Sequence, residues 1–166
     1  MQQPRTDVMV ARTGAVMVRL SRLVGLCLLL FFGFSSSALA LDYRSVAVDR
    51  AVLYDAPSVQ AKRLFLAGKY YPFEIIVNLD QWAKVRDSAG SLAWIERKNL
   101  GDTRMVVVTA ARADVRQSAE RNAPLVFQAE RDVVLELVEH GASGWLKVRH
   151  RSGQAGYVLV SQVWGA

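Results

Sequence analysis

Residues that could carry out catalysis or hold a metal are few and scattered in this chain of 166 residues. The two histidines, His140 and His150, lie ten positions apart, whereas a histidine-based metal site needs several convergent ligands. Ser143 and Ser152 neighbour these histidines only within turns, and nucleophilic catalysis also needs an orienting group. The only cysteine, Cys27, lies in an apolar run. The sequence therefore predicts no metal site, no cofactor and no catalytic centre, so we expect a protein that is not an enzyme.

Basic and aromatic residues that could bind a ligand are more numerous than residues that could carry out catalysis. The basic cluster Arg149-His150-Arg151 is the place where we expect an anion to bind. Several aromatic residues outside the repeated motif could stack on sugars or peptides, although packing at an edge or between domains would also place them there: Tyr54, Tyr70, Tyr71 and Trp164. The candidate ligand-binding residues are six: Tyr54, Tyr71, Arg149, His150, Arg151 and Trp164.

These residues belong to a chain that repeats itself. Trp82-Ala-Lys-Val-Arg86 reappears 63 positions later as Trp145-Leu-Lys-Val-Arg149, and Gly90 corresponds to Gly153 at the same offset. Upstream, the offset is 62 and the match is looser, with Phe65 opposite Phe127. A spacing kept through tryptophan and glycine positions indicates a duplicated structural unit. The extra residue of the second copy falls in the hairpin before its tryptophan, where insertions cost little.

The pattern within each copy is that of β-strands. Both copies show the period-2 pattern of a half-buried strand. In the first copy Phe73, Ile75 and Val77 alternate with Glu74, Ile76 and Asn78, and in the second Val133, Leu135 and Leu137 alternate with Val134, Glu136 and Val138. Turns rich in Gly, Asp and Asn then lead into the Trp-x-Lys-Val-Arg strand and out of it. We therefore expect two all-β units of about sixty residues each, joined near residues 101–102 and without helices.

The repeated strand itself favours a structural interpretation. Trp82 and Trp145 occupy one fixed position in both copies and are expected to cap their own units, since tryptophan buries much area. The Lys and Arg of each strand share the face opposite the valine, which predicts a solvated face that protects the sheet edge. A ligand platform and a cationic stripe for an anionic peptide or glycan are the alternatives.

The order of these motifs resembles that of bacterial Src-homology-3-like domains. Such domains have an Asn-Val-Arg-x-x-Pro-type opening, then Gly-Trp-x-Lys-Val-Arg and Gly-x-x-Gly-Trp-Val. The second copy keeps Gly144-Trp145 and Gly153-Gln-Ala-Gly156, whereas the first has Gln81 and Ala93 in place of two glycines. The resemblance implies an all-β fold of two tandem five-stranded barrels, at residues 43–101 and 103–165, and two such small barrels are expected to dock on each other.

Residues 1–40 are expected to be a secretory signal peptide. Four arginines precede the apolar run Leu23–Phe32, and Ala38-Leu-Ala40 has the small-x-small pattern of a signal-peptide cleavage site. An uncleaved membrane anchor is the alternative, and Met9 or Met17 could be the true start. Without this segment the chain has 17 basic and 14 acidic residues, a net charge of +3 in place of +6, and no cysteine for a disulfide. We expect a periplasmic or secreted protein that binds no nucleic acid, and that meets a membrane only if the segment is retained.

The function most consistent with these features is non-catalytic binding in the cell envelope. The resemblance implies a peptidoglycan stem peptide or an extended segment of an envelope protein as ligand. A scaffold protein whose second barrel adds a partner strand at its edge is the main alternative. A cell-wall amidase or peptidase accessory is a third.

Overall fold

Residues 41–166, which the computed structural model describes, fold into strands, turns and two short 3₁₀ helices, Arg97–Asn99 and Val160–Gln162. The expected absence of long helices in this range is confirmed, and none of its helices is long and apolar enough to span a bilayer. The expected signal segment, residues 1–40 with Cys27, lies outside the described residues.

The first barrel is a seven-stranded antiparallel sheet. In chain order its strands are β1 (Tyr43–Val46), β2 (Arg50–Tyr54), β3 (Arg63–Gly68), β4 (Pro72–Asn78), β5 (Trp82–Arg86), β6 (Leu92–Glu96) and β7 (Leu100–Gly101). Across the sheet they run β3-β2-β6-β5-β4-β1-β7, so β4, β5 and β6 form a meander and β3 lies at one edge. The expected three-stranded meander is therefore present.

The second barrel repeats this arrangement strand for strand. Its strands are β8 (Met105–Val108), β9 (Arg112–Arg116), β10 (Leu125–Glu130), β11 (Val134–His140), β12 (Trp145–Arg149), β13 (Ala155–Leu159) and β14 (Val163–Trp164). They run β10-β9-β13-β12-β11-β8-β14 across the sheet, the order of the first barrel. The identical order confirms the duplication that the sequence predicts.

Each barrel has seven strands, two more than the five expected from the sequence. The residues between the opening motif and the meander have no regular sequence pattern. They form an additional strand, β3 in the first barrel and β10 in the second, which pairs with the strand before it. A two-residue strand, β7 or β14, follows each 3₁₀ helix and pairs with the first strand of its barrel. Both additions are short or lie at an edge, where hydrophobic periodicity is weakest.

Each barrel encloses its own apolar core. The first core is built on four fully buried residues, Leu53, Phe73, Val85 and Ile95. The second is built on their counterparts Val115, Leu135, Val148 and Val158, together with Val106 and Val108. Because Ala83 and Val85 point inward, Trp82 lies on the outer face of its strand with Lys84. That face is covered locally, since the Trp82 ring meets the Tyr54 ring edge to face at 5.4 Å.

The strand β13 approaches β9 closely at Gly156. A Cβ added there would lie 2.5 Å from the Arg116 carbonyl oxygen and 2.8 Å from a Val115 methyl carbon. The first barrel has Ala93 at the corresponding position, buried at 2% exposure. The glycine that only the second copy keeps is therefore required by a local approach of two strands that the first barrel does not make as tightly.

Aromatic and polar contacts join the barrels. Tyr43 of β1 meets Trp164 of β14 edge to face, with ring centroids 5.2 Å apart. The Arg104 guanidinium carbon lies 5.6 Å from the Tyr43 ring centroid, and its Nη2 donates to the Gly165 carbonyl at 3.3 Å. Ser45 Oγ donates to the Thr103 carbonyl at 2.6 Å, which ties the linker to β1. The barrels therefore dock on each other, as their small size led us to expect.

Candidate functional site

A cleft of about 730 Å³ opens between the barrels. Lys69 and Tyr70 of the first barrel and Thr103 of the linker form one side. The second barrel supplies the rest of the lining: Met105, Val133, Val134, Glu136, Arg149, His150, Arg151 and Gly153. The cleft therefore combines an apolar floor with a mostly cationic rim.

The basic turn between β12 and β13 places three of the predicted residues on this cleft. The turn closes with His150 N–H donating to the Gln154 carbonyl at 2.8 Å and Gly153 N–H to the His150 carbonyl at 2.9 Å. His150 Nδ1 lies 2.9 Å from Ser152 Oγ and accepts from the Ser152 amide at 3.3 Å. The imidazole is therefore held by its own turn, while Arg151 at the tip is exposed.

The first barrel builds the same turn with the opposite charge. There Asp87 takes the place of His150, and its Oδ1 accepts from the Ala89 and Ser91 amides at 2.9 and 2.8 Å. Ser88 takes the place of Arg151. The basic cluster is thus a feature of the second barrel alone, since the turn geometry does not require it.

Positive charge predominates on the cleft lining. Arg149 Nη1 donates to Glu136 Oε2 at 3.4 Å, and this carboxylate is the single acid among the lining residues. Lys69 Nζ lies 3.7 Å from Asp49, whose side chain is almost fully exposed. Within residues 41–166 Arg151 has no ion-pair partner, so its charge faces the cleft unopposed. Lys69 and Arg149 already have carboxylate partners, whereas Arg151 has none within residues 41–166. An anionic ligand would therefore gain most at Arg151, where it would not have to displace an existing ion pair.

Tyr70 forms an aromatic wall of the cleft in an unusual backbone conformation. Its φ of 71° is left-handed, and Asp132 at the corresponding position of the second barrel has a φ of 67°. Both amides donate to the first strand of their barrel, to Val46 and Val108. Aspartate tolerates this conformation better than tyrosine does. Tyr70 is 44% exposed, with Lys69 Nζ 5.5 Å from its ring centroid.

The other three predicted site residues lie away from the cleft lining. Tyr54 is only 5% exposed beneath Trp82, which leaves it little surface for a ligand. Tyr71 packs on Phe73 at a centroid distance of 5.0 Å, and its hydroxyl lies 2.9 Å from Ser88 Oγ. Trp164 packs against the first barrel, in the contact described above. These three aromatic rings are used for packing, which the sequence analysis left open as the alternative.

Lys69 and Tyr70 line the cleft but were not among the six candidate ligand-binding residues, although Tyr70 is an aromatic residue outside the repeated motif. Lys69 corresponds to Arg131, so both copies have a basic residue at this position and the sequence does not distinguish Lys69 as a site residue. Tyr70 could have been found as a large residue opposite Asp132, at a position where the repeat requires a left-handed turn.

Titration and metal binding point to no additional centre in this part of the chain. Residues 41–166 contain no group of three or more His, Cys, Asp or Glu side chains placed to hold a metal ion. Burial raises the pKa of the Tyr43 hydroxyl above its usual 10.0, with the nearby Glu74 carboxylate acting in the same direction. This tyrosine belongs to the contact between the barrels and not to the cleft lining.

Comparison with known proteins assigns the barrels to a family. Residues 47–102 and residues 109–165 each match the family described as bacterial SH3 domain. The chain belongs to the bacterial SH3 domain family. The resemblance drawn from the sequence is therefore confirmed. Each match covers six of the seven strands of one barrel, β2 to β7 in the first and β9 to β14 in the second. No match was found among curated proteins.

Several solved structures are distantly similar to these tandem bacterial SH3 domains. NlpC1 and NlpC2 from Trichomonas vaginalis share 16% and 14% identity with the chain, each with a TM-score of 0.36. They match over 78% and 77% of this chain and 47% and 49% of their own. An NlpC/P60 family protein from Bacillus cereus shares 13% identity at a TM-score of 0.35, over 74% of this chain and 56% of its own. The chain thus spans about half the length of these structures.

Proposed function

We propose that this protein is an exported, non-catalytic binding module whose cleft between the two bacterial SH3 domains holds an anionic segment of a cell-envelope ligand. A carboxylate-bearing stem peptide of peptidoglycan is the ligand class we favour. The observation that carries the proposal is Arg151, which lines the cleft between the barrels and has no ion-pair partner within residues 41–166. Export is proposed from the basic, apolar and small-x-small pattern of residues 1–40.

The size and lining of the cleft suit a short peptide. Ligand pockets commonly enclose roughly 300–1,000 Å³ and combine an apolar floor with a few fixed polar groups. Here Met105, Val133 and Val134 supply the floor, and Tyr70 supplies a flat ring against which a peptide can pack. Arg151 supplies a donor fork that matches a carboxylate.

The electrostatics favour an anion over a cation or a neutral ligand. Three cations, Lys69, Arg149 and Arg151, line the cleft together with one acid, Glu136, which is paired with Arg149. Charge on a concave surface raises the local concentration of an oppositely charged ligand and speeds its association. Binding by this mechanism weakens as salt rises, because the contributing side chains are exposed.

Retention on purified sacculi tests the proposal. We expect Arg151→Ser, which copies the residue of the first barrel's turn, to weaken retention about fivefold to tenfold, as expected for one exposed charge-assisted contact. The control is Arg121→Ser, which removes the same charge at an exposed turn residue outside the cleft lining. Equal loss in both variants would mean that only net charge matters and would reject the cleft as the site.

Competition by a soluble stem peptide tests the class of ligand independently of the location of the site. We expect the free peptide to compete for sacculus retention, and the same peptide with amidated carboxyl groups to compete at least about tenfold less well. Competition that is insensitive to amidation would remove the carboxylate from the proposal.

A further inference from the structure

The strand β3 presents an apolar edge to solvent. It lies at the end of the first sheet and pairs only with β2. Its central residues Leu64, Phe65 and Leu66 are 42%, 38% and 59% exposed. None of them lines the cleft between the barrels. A long apolar edge is normally blunted in a soluble protein, because it can pair with another chain.

The backbone of this edge is free to accept a further strand at Leu66. Lys69 N–H donates to the Asp49 carbonyl, which fixes residues 49 and 69 as a hydrogen-bonded pair. Hydrogen-bonded and non-bonded pairs alternate along antiparallel strands, so Leu66 opposite Val52 is a non-bonded pair. Its N–H and C=O therefore point away from β2, toward the open side of the sheet.

The second barrel protects the same edge. On β10, Gln128 takes the place of Leu66 and Glu130 that of Gly68. Gln128 Nε2 donates to Asp114 Oδ1 at 2.8 Å, so its side chain folds back over its own sheet. Polar and charged residues of this kind are a common way to prevent edge pairing. The unprotected edge is thus a feature of the first barrel and not a requirement of the fold.

Charge argues for a different partner and against a second copy of this chain. The hairpin from Asp49 to Lys69 carries four basic and two acidic residues. In the antiparallel self-pairing that bonds Leu66 to its own copy, Arg63 of each strand would face Lys69 of the other. Like charges directly opposite across a strand pair are destabilising. A strand with acidic ends would instead meet a basic residue at each end of β3.

We propose that β3 binds an extended segment of a partner protein by adding it as an eighth strand to the first sheet. The segment has apolar residues at alternate positions, which contact Leu66 and its neighbours, and acidic residues at its ends, which pair with Arg63 and Lys69. Main-chain hydrogen bonds supply affinity in this mode, and the flanking side chains supply selectivity. From the sequence, such an edge was expected on the second barrel, but the exposed Leu64, Phe65 and Leu66 favour the first.

A displayed library of random ten-residue peptides, panned on the full chain, tests the proposal. We expect enriched sequences with alternating apolar residues and Asp or Glu at the ends. Leu66→Pro should weaken binding of an enriched peptide at least about tenfold, because proline removes the outward N–H, and edge strands tolerate proline at such positions. Gln128→Pro removes the equivalent donor of the second barrel and should change binding less than about twofold.

A second variant and a second measurement distinguish loss of binding from loss of folding. Leu66→Gln copies the second barrel and should also weaken binding, with an unchanged circular dichroism spectrum. Bound peptide should slow hydrogen exchange at the Leu66 amide. Enrichment of no sequence or of basic-ended sequences would overturn the proposal, as would equal losses from the two proline variants. Dimerisation of the chain that Leu66→Pro abolishes would overturn it in favour of a second copy.

Discussion

The ring of Trp164 meets the ring of Tyr43 edge to face, with a centroid distance of 5.2 Å and an interplanar angle of 88°. The two residues come from opposite ends of the described chain and from different barrels. Trp164 occupies a position that is Gly101 in the first barrel, so the contact arises where the repeat breaks. With Arg104 over the same tyrosine, it forms the joint on which the cleft geometry depends.

Loss of this ring should weaken the joint. We expect Trp164→Ala to lower the free energy of unfolding by about 2 kcal/mol, because an aromatic pair contributes about 1 kcal/mol beyond the apolar area it buries. Urea denaturation measures this loss. Trp164→Phe keeps an edge-to-face contact and should cost about half as much. Wild-type stability in both variants would show that the contact does not hold the barrels together.

The protein should lose stability at high pH through Tyr43. Burial raises the pKa of this hydroxyl above 10.0, so the folded state keeps the proton at pH values where the unfolded chain has released it. The stabilisation is complete below pH 10.0 and is lost as pH rises through the folded-state pKa. Tyr43→Phe should therefore lose less stability than the wild type between about pH 9 and pH 11.5. Urea unfolding followed over this range measures the difference, with Tyr70→Phe as the exposed control. Parallel curves for wild type and Tyr43→Phe would contradict the assignment.

The two barrels should respond differently to exchange of glycine and alanine at one repeated position. Gly156→Ala should cost about 3 kcal/mol, because the new methyl group would press against a backbone carbonyl at 2.5 Å. Ala93→Gly at the matched position should cost only about 1 kcal/mol, the usual effect of glycine within a strand. Thermal or urea unfolding measures both. Similar costs would mean that the close approach of β13 to β9 relaxes freely.

Tyr70 should be a site where stability and binding oppose each other. Tyr70→Asn should raise the free energy of unfolding by about 0.5–1 kcal/mol, because asparagine tolerates a left-handed φ that costs other residues roughly 1–2 kcal/mol. The same change should weaken sacculus retention, since the cleft loses its aromatic wall. Tyr70→Phe keeps both the ring and the backbone cost, so it should leave stability unchanged. A destabilised Tyr70→Asn would show that ring contacts outweigh the backbone cost.

Much of the fold could be predicted from the sequence because the repeat carries it. Trp82 and Trp145, with the valines that follow them, mark the same strand twice, and period-2 patterns place the meander around each. The arms β3 and β10 could not be predicted in this way. Leu64, Phe65 and Leu66 form an unbroken apolar run, which does not indicate which face is buried.

The candidate site was predictable in part. Arg149, His150 and Arg151 could be identified because a run of basic residues in a turn has no role in the core. Their cleft could not, since it depends on how the barrels dock, and docking is set by pairwise contacts such as Tyr43 with Trp164. Tyr54 and Tyr71 looked equally suitable as ligand-binding residues, because sequence alone does not distinguish an exposed ring from a packed one.

Every strand pairing within residues 41–166 joins strands of one barrel, so no ladder of main-chain hydrogen bonds crosses the joint. Several of the residues that line the cleft, among them Tyr70, His150 and Arg151, consequently lie in turns and outside both sheets. Mutation can therefore exchange His150 or Tyr70 for other residues while both domains continue to fold. If the cleft binds a ligand as proposed, its specificity can change through substitutions in these turns while both barrels keep their fold.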